Sequence, residues 1–281
     1  NPTINGIAQS GYSGFKNYII NGGFDVWQRG TSFTSTWGQY TVDRGLSWSS
    51  STNTVCQRVS ATSNVGLYDI QYTNALPVGM SYVQKIESSS AVHFANSNAV
   101  TLSFRVKTSV SSVNVRFSAP TLQDNFLAQT QDFNTNLTVT PNVWTTVSYT
   151  FTPNPSVQYW KGVLLDISVN YATEMSLGFV QLEEGSVATP FEQRPYGLEL
   201  SLCQRYLPSI DLSGMGYGYT GLCTSATGVL VPIRFPVQSR VPSTGMIIIG
   251  GTLIPSTSNG ANAGGTLAHT WATTSGATLY S

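Results

Sequence analysis

The sequence predicts an all-β protein, most of it a two-sheet sandwich. Only 9% of the 281 residues are charged, against roughly 25% in an ordinary globular chain. Polarity comes instead from Ser, Thr, Asn and Gly, with β-branched and aromatic residues between them, a composition that favours strands and turns. Short segments with period-two apolar alternation, the mark of a half-buried strand, recur along the chain.

Residues 1 to 16, with Gly6, Gly11 and Gly14, read as an N-terminal arm or attachment segment. Strand patterns then follow one another. Leu102, Phe104 and Val106 alternate with Ser103 and Arg105, and Val113, Val115 and Phe117 with Asn114 and Arg116. Val147, Tyr149 and Phe151 alternate with Ser148 and Thr150, and Val163, Leu165, Ile167 and Val169 with Leu164, Asp166 and Ser168. Pro120, Pro141, Pro153 and Pro155 fall between these runs, where a missing N–H costs least. Such strands, each with one inward face, build a sandwich over residues 17–196. One helix is expected over 197–207: Leu198, Leu202 and Tyr206 recur at spacing four, Pro195 precedes the first turn and Pro208 ends it. It joins the sandwich to a smaller C-terminal β domain, 208–281. Strands are expected there at 217–223, 228–235, 246–254, 266–271 and 277–280, and a loop at 256–265.

Thirteen Lys+Arg balance thirteen Asp+Glu, so no cationic surface exists for nucleic acid or for anionic membrane. The longest apolar run, Met246 to Ile249, is far short of the ~20 residues of a membrane-spanning helix. The first residues have neither the basic nor the apolar stretch of an export signal, and none is expected. Cys56, Cys203 and Cys223 are odd in number and widely spaced, which favours free buried thiols over a disulfide framework or a zinc site. Residues 241 to 281 contain no Lys, Arg, Asp or Glu, and such a surface is best covered by copies of itself.

No catalytic residue is expected. His93 and His269 lie in different predicted domains, and no Gly-x-Ser-x-Gly elbow or phosphate-cradling glycine loop occurs. Of the acids that could flank a glycosidic bond, Glu183 and Glu184 are adjacent, so on a strand they point to opposite faces. Asp43, Glu87, Asp166 and Glu174 lie farther off in the sequence. No cofactor is expected, and a structural calcium could draw only on Asp25 and Glu183. The binding resource is aromatic. Trp37 and Tyr40, in the polar segment 31–41, and Tyr217, Tyr219, His269 and Trp271, on polar-flanked runs, are the candidate ligand-binding residues.

Four motifs carry a family resemblance. They are Asn17-Tyr-Ile-Ile-Asn-Gly-Gly-Phe-Asp-Val-Trp-Gln-Arg-Gly30, Tyr40-Thr-Val-Asp-Arg44, Val180-Gln-Leu-Glu-Glu-Gly185 and Ala188-Thr-Pro-Phe-Glu-Gln-Arg-Pro-Tyr-Gly197 leading into Glu199-Leu-Ser-Leu-Cys-Gln-Arg-Tyr206. With Val231-Pro-Ile-Arg-Phe-Pro-Val237, Arg240 and Pro242, they resemble a group of bacteriophage tail-fibre and virion-surface proteins over roughly residues 17 to 245. Where that group has Trp after the Asp-Arg pair, this chain has Gly45. The front part is also similar to the jelly-roll fold of carbohydrate-binding modules. The resemblance implies a jelly-roll sandwich and a non-enzymatic virion protein, a tail fibre or receptor-binding adhesin for host surface glycan. It further implies a homotrimer in contact with other virion proteins. A capsid-decorating head fibre and a glycan-degrading tailspike are the alternative roles. A tailspike would resemble a long parallel β-helix, and its coil repeat is absent from the sequence.

Overall fold

Alternation along the chain becomes layers once the strands pair. The computed structural model describes residues 15–34, 37–62, 66–93, 97, 99–209 and 232–242 in full. It describes the backbone alone at residue 35 and in strands at 3–4, 7–8, 222–225, 228–231, 268–272 and 276–280. The chain divides into two compact units, Asn1–Pro195 and Tyr196–Ser281.

In the first unit β1 (Thr3–Ile4) and β2 (Ile7–Ala8) form a short antiparallel pair. Next come β3 (Ser32–Ser35), β4 (Gln39–Tyr40), β5 (Gly45–Ser49), β6 (Thr54–Ser60) and the long β7 (Tyr68–Ile86). A single helical turn, α1 (Ser88–Ala91), leads to β8 (Val100–Thr108), β9 (Ser112–Leu122), β10 (Asn125–Thr138) and β11 (Thr145–Phe151). A 3-10 turn at Tyr159–Lys161 precedes β12 (Val163–Glu184). Strands β3 to β12 form one ten-stranded antiparallel network. It folds over itself because β7 and β12, which pair with each other, each run through both layers. The later part of β7 and the early part of β12 lie in the order β4-β5-β7-β12-β9-β10. The other halves of the same two strands lie in the order β3-β6-β7-β12-β8-β11. The crossing is marked by register shifts on either side of Ala172 and by Tyr171 at φ 55°. Strands that change sheet through a bulge make such corners. The result is a jelly-roll β-sandwich.

All four alternating runs read from the sequence are strands, and their apolar positions face the shared core. Leu102, Phe104, Val106, Val113, Val115, Phe117, Val163, Leu165 and Ile167 are buried there against Tyr72, Tyr82, Met175 and Leu177. Each such side chain contributes about 1.5–3 kcal/mol on burial. Where β10 and β11 form the free edges, rings close the gap between layers: Phe133 meets Phe151 at 4.6 Å and Tyr149 at 5.1 Å, and Phe117 meets Phe151 at 4.9 Å. The polar 14-residue β10 carries no simple alternation along its full length.

The sequence motifs prove to be fasteners. Asn21 adopts φ 59°, which Asn tolerates, and its side chain accepts from the Val26 N–H at 3.0 Å. It also donates to the carbonyls of Val26 (2.9 Å) and Asp43 (3.0 Å). Asn17 accepts the N–H groups of Ile19 and Leu182 and donates to the Val180 carbonyl. Gly22 lies so close to β12 that a Cβ there would sit 2.0 Å from the Val180 oxygen. Buried Asp43 accepts from the Gln28 N–H (2.6 Å) and amide (2.7 Å), and Arg44, at φ 68°, donates to the Lys85 carbonyl. At Gly45 a Cβ would meet Val42 at 2.4 Å and the Tyr82 ring at 2.8 Å, so Tyr82 fills the space a larger residue would need.

The second unit holds helix α2 (Tyr196–Gln204) and the strands β13 (Leu222–Ser225), β14 (Gly228–Arg234), β15 (Ala268–Ala272) and β16 (Gly276–Tyr280). These four strands form one antiparallel sheet in the order β13-β14-β16-β15. Pro232 sits in β14 beyond the part that pairs with β13, where its missing N–H leaves no gap in that ladder. The helix starts directly after Pro195, but its buried positions are Glu199 and Cys203, one residue on from the Leu198/Leu202 stripe. Leu198 is exposed and Leu202 half-buried. The strand expected at 246–254 and the loop at 256–265 lie outside the described residues. Cys56 is a free, buried thiol and Cys203 is buried; burial pushes the Cys56 thiol up, beside Thr41 and Ser47.

Candidate functional site: the outer face of the β4-to-β10 layer

Each strand of this layer has a second face, turned away from the core. Residues directly opposite one another in neighbouring strands share a face, so the register gives its rows. One row runs Trp48 (β5), Ser81 (β7), Ser168 (β12), Asn114 (β9), Asn136 (β10). The adjacent row runs Tyr40 (β4), Leu46, Val83, Asp166, Arg116, Asn134. Leu46, Val83 and Leu164 make a small apolar cluster separate from the main core, with Trp48 and Phe126 packed on it. This cluster gives the Trp48 ring a rigid base.

Trp37 lies flat on Trp48, centroids 5.2 Å apart and planes 7° from parallel, and is 72% exposed. Tyr40, 39% exposed, carries the Arg29 guanidinium 5.4 Å above its ring. Gly38, at φ 78° between them, turns the chain beside the Trp48 indole. An aromatic platform therefore stands at one end of a polar floor. Arg116 is paired with Asp166 at 2.7 Å. Burial raises the Asp166 carboxyl above its ordinary range, and it outweighs the opposing pull of Arg116, Ser81 and Ser168. Asn114 donates to the side-chain oxygens of Asn134 (2.6 Å) and Asn136 (2.8 Å). Such a face can stack a flat apolar ring and hydrogen-bond hydroxyl groups around it.

Of the residues predicted from sequence, Trp37 and Tyr40 are on this platform. Tyr217 and Tyr219 lie outside the described residues. His269 and Trp271 belong to β15, opposite Leu279 and Thr278, with a register shift between them. Sequence reasoning missed Trp48, Asn114, Asn136, Ser168 and Arg116 as site residues. Alternation placed Asn114, Arg116 and Ser168 away from the core, but only strand pairing shows that they share a face.

Glu183 and Glu184 do point to opposite sides, the first buried and the second exposed. The Glu183 carboxylate accepts from the Thr189 N–H (2.8 Å), the Thr189 hydroxyl (2.7 Å) and the Gln181 amide (2.9 Å). Those three donors hold the carboxylate beside Thr189. Among the described residues no group of three or more His, Cys, Asp or Glu side chains comes together. None of the helices among the described residues is long and apolar enough to cross a membrane.

No family model and no curated protein matches this sequence. Solved structures similar to it include carbohydrate-binding modules of the β-sandwich superfamily, at 9% identity and a TM-score of 0.38, covering 51% of this chain and 58% of that one. A family 61 carbohydrate-binding module in complex with β-1,4-galactotriose is 10% identical with a TM-score of 0.37, over 61% of this chain and 100% of that one. The enzymatically active domain of tailspike protein 4 of bacteriophage CBA120 is 9% identical with a TM-score of 0.36, over 60% of this chain and 21% of that one. The chain thus spans well under two thirds of the first of these, and no residue role is carried over from any of them.

Proposed function

We propose that this protein is a non-enzymatic glycan-binding protein of a phage virion, a tail fibre or receptor-binding adhesin, that holds host surface glycan on the platform of Trp37, Trp48 and Tyr40. One observation carries the reading: an exposed, flat Trp37 ring, backed by Trp48, borders a floor of amides and hydroxyls. The separation of Glu183 from Glu184, and the tie between Asp166 and Arg116, favour binding over hydrolysis. The virion assignment rests on the motif series between residues 17 and 245. A homotrimer follows from the same resemblance and from the charge-free residues 241 to 281.

The test is a glycan array probed with the labelled full chain, followed by titration of the best ligand. Trp37→Ala is expected to weaken binding about tenfold or more, equivalent to about 1.4 kcal/mol. Undiminished binding by both Trp37→Ala and Tyr40→Ala, or release of reducing ends from the bound glycan, would overturn the reading.

A further inference from the structure

We infer that the polar end of this face is a second subsite, and that the glycan spanning it from the aromatic platform is an uncharged oligosaccharide. The inference rests on the glycan-binding reading above and goes beyond it in naming a ligand class and a minimum length. Trp48 and Ser168 share a row two strands apart, about 10 Å at ~4.8 Å per strand. At Ser168 a cavity of about 170 Å³ opens, lined by Ser111, Ser112, Asn114, Asn136, Ser168 and Asn170 together with Val110 and Val169. Pockets that enclose a drug-sized ligand run from roughly 300 to 1,000 Å³. A hollow of this size suits one ring of a longer ligand lying across the face.

Charge selects the ligand independently of shape. No ionisable side chain lines the cavity. The nearest charges along the rows, Arg116 and Asp166, are already paired. A carboxylate on the ligand would lose water here without gaining a free cation, which is heavily penalised. Hydroxyls fare differently. The Asn114 amide nitrogen is committed to the oxygens of Asn134 and Asn136. Within that trio the Asn114 oxygen and the amide nitrogens of Asn134 and Asn136 stay available, a mixed set of acceptor and donors that matches neighbouring hydroxyls.

The experiment is calorimetric titration of the full chain with neutral hexose and N-acetylhexosamine oligomers of one to four rings. Equivalents ending in glucuronate or sialate are run alongside, at low and high salt. Asn114→Ala and Asn136→Ala are compared with Trp37→Ala, each checked for an unchanged melting temperature. Asn136 is exposed, so its truncation leaves the fold intact even if that of Asn114 does not. The expected result is at least fivefold weaker binding of three- and four-ring neutral ligands by the Asn variants. Single-ring binding should be unchanged in them, and salt should have no effect. A loss confined to Trp37→Ala, a preference for acidic ligands or a steep salt dependence would overturn the second subsite or its neutrality while leaving the platform standing. Failure of every glycan to bind, with Trp37→Ala indistinguishable from the parent, would overturn the glycan-binding reading itself.

Discussion

Arg194 offers the sharpest test of how the sandwich is closed. Its guanidinium is buried and donates to the carbonyls of Asn17 and Ile19, the latter at 3.3 Å, and to the Glu192 carboxylate at 3.2 Å. It also lies 4.8 Å over the Phe15 ring. Glu192 in turn accepts from the N–H groups of Lys16 (3.2 Å) and Asn17 (3.0 Å). One charged pair thus ties the entry of the domain to its exit, positions up to 177 residues apart in sequence. Replacing Arg194 with Ala leaves two carbonyls without this donor and the Glu192 carboxylate without its counter-charge. Removing one member of a buried ion pair costs about 3–5 kcal/mol. For a unit of this size each kcal/mol moves the midpoint by about 2–4 °C, so the expected drop is about 6–20 °C. Tryptophan fluorescence can follow it, because Trp27, Trp37, Trp48, Trp144 and Trp160 all lie in the first unit. Arg194→Lys should fall between parent and Ala, since the charge survives but the planar fork does not. Adding Glu192→Gln to Arg194→Ala should cost less than the sum of the two single changes. A shift under about 2 °C for Arg194→Ala would show that the termini of the sandwich are held by other contacts.

Asp43, Asp69 and Asp166 all have carboxyls raised by burial above 3.8, so the folded chain takes up protons before the unfolded one as pH falls. They therefore add stability as pH drops from neutral toward 3.8 and withdraw it as pH rises; Asp69→Asn should melt higher than the parent at pH 7, by a margin that shrinks toward pH 4. A margin that widens on acidification would refute this sign. Gly22→Ala should destabilise the sandwich by about 1–3 kcal/mol or more, because its methyl group would meet the Val180 carbonyl, which is backbone and cannot rotate away; an unchanged denaturation midpoint would show that the two segments separate freely. Deleting residues 241–281 should convert the proposed trimer to monomer or aggregate in sedimentation velocity, whereas a truncated chain that stays trimeric places the interface elsewhere.

Strands whose buried positions alternate with polar ones could be read from the linear chain alone. Leu102 to Val106 and Val163 to Val169 must put one side in and the other out, since a strand repeats every two residues. The linear chain also determined that Glu183 and Glu184 diverge, for the same reason. Residues such as those of β10 escaped because an edge strand buries little and so carries no strong pattern. The helix shows a different limit: leucines at spacing four mark a helix, but which stripe is buried depends on the surface it meets, and the buried stripe holds Glu199 and Cys203. The candidate site lay furthest from the linear order. Trp37 and Tyr40 stood out as aromatics in a polar stretch, whereas Trp48, Ser168, Asn114 and Asn136 come from strands far apart in the chain. That they form one row emerges in the folded chain alone, because register across five strands is set by the packing of the opposite, apolar face, which each strand's own sequence describes but cannot align with its neighbour's.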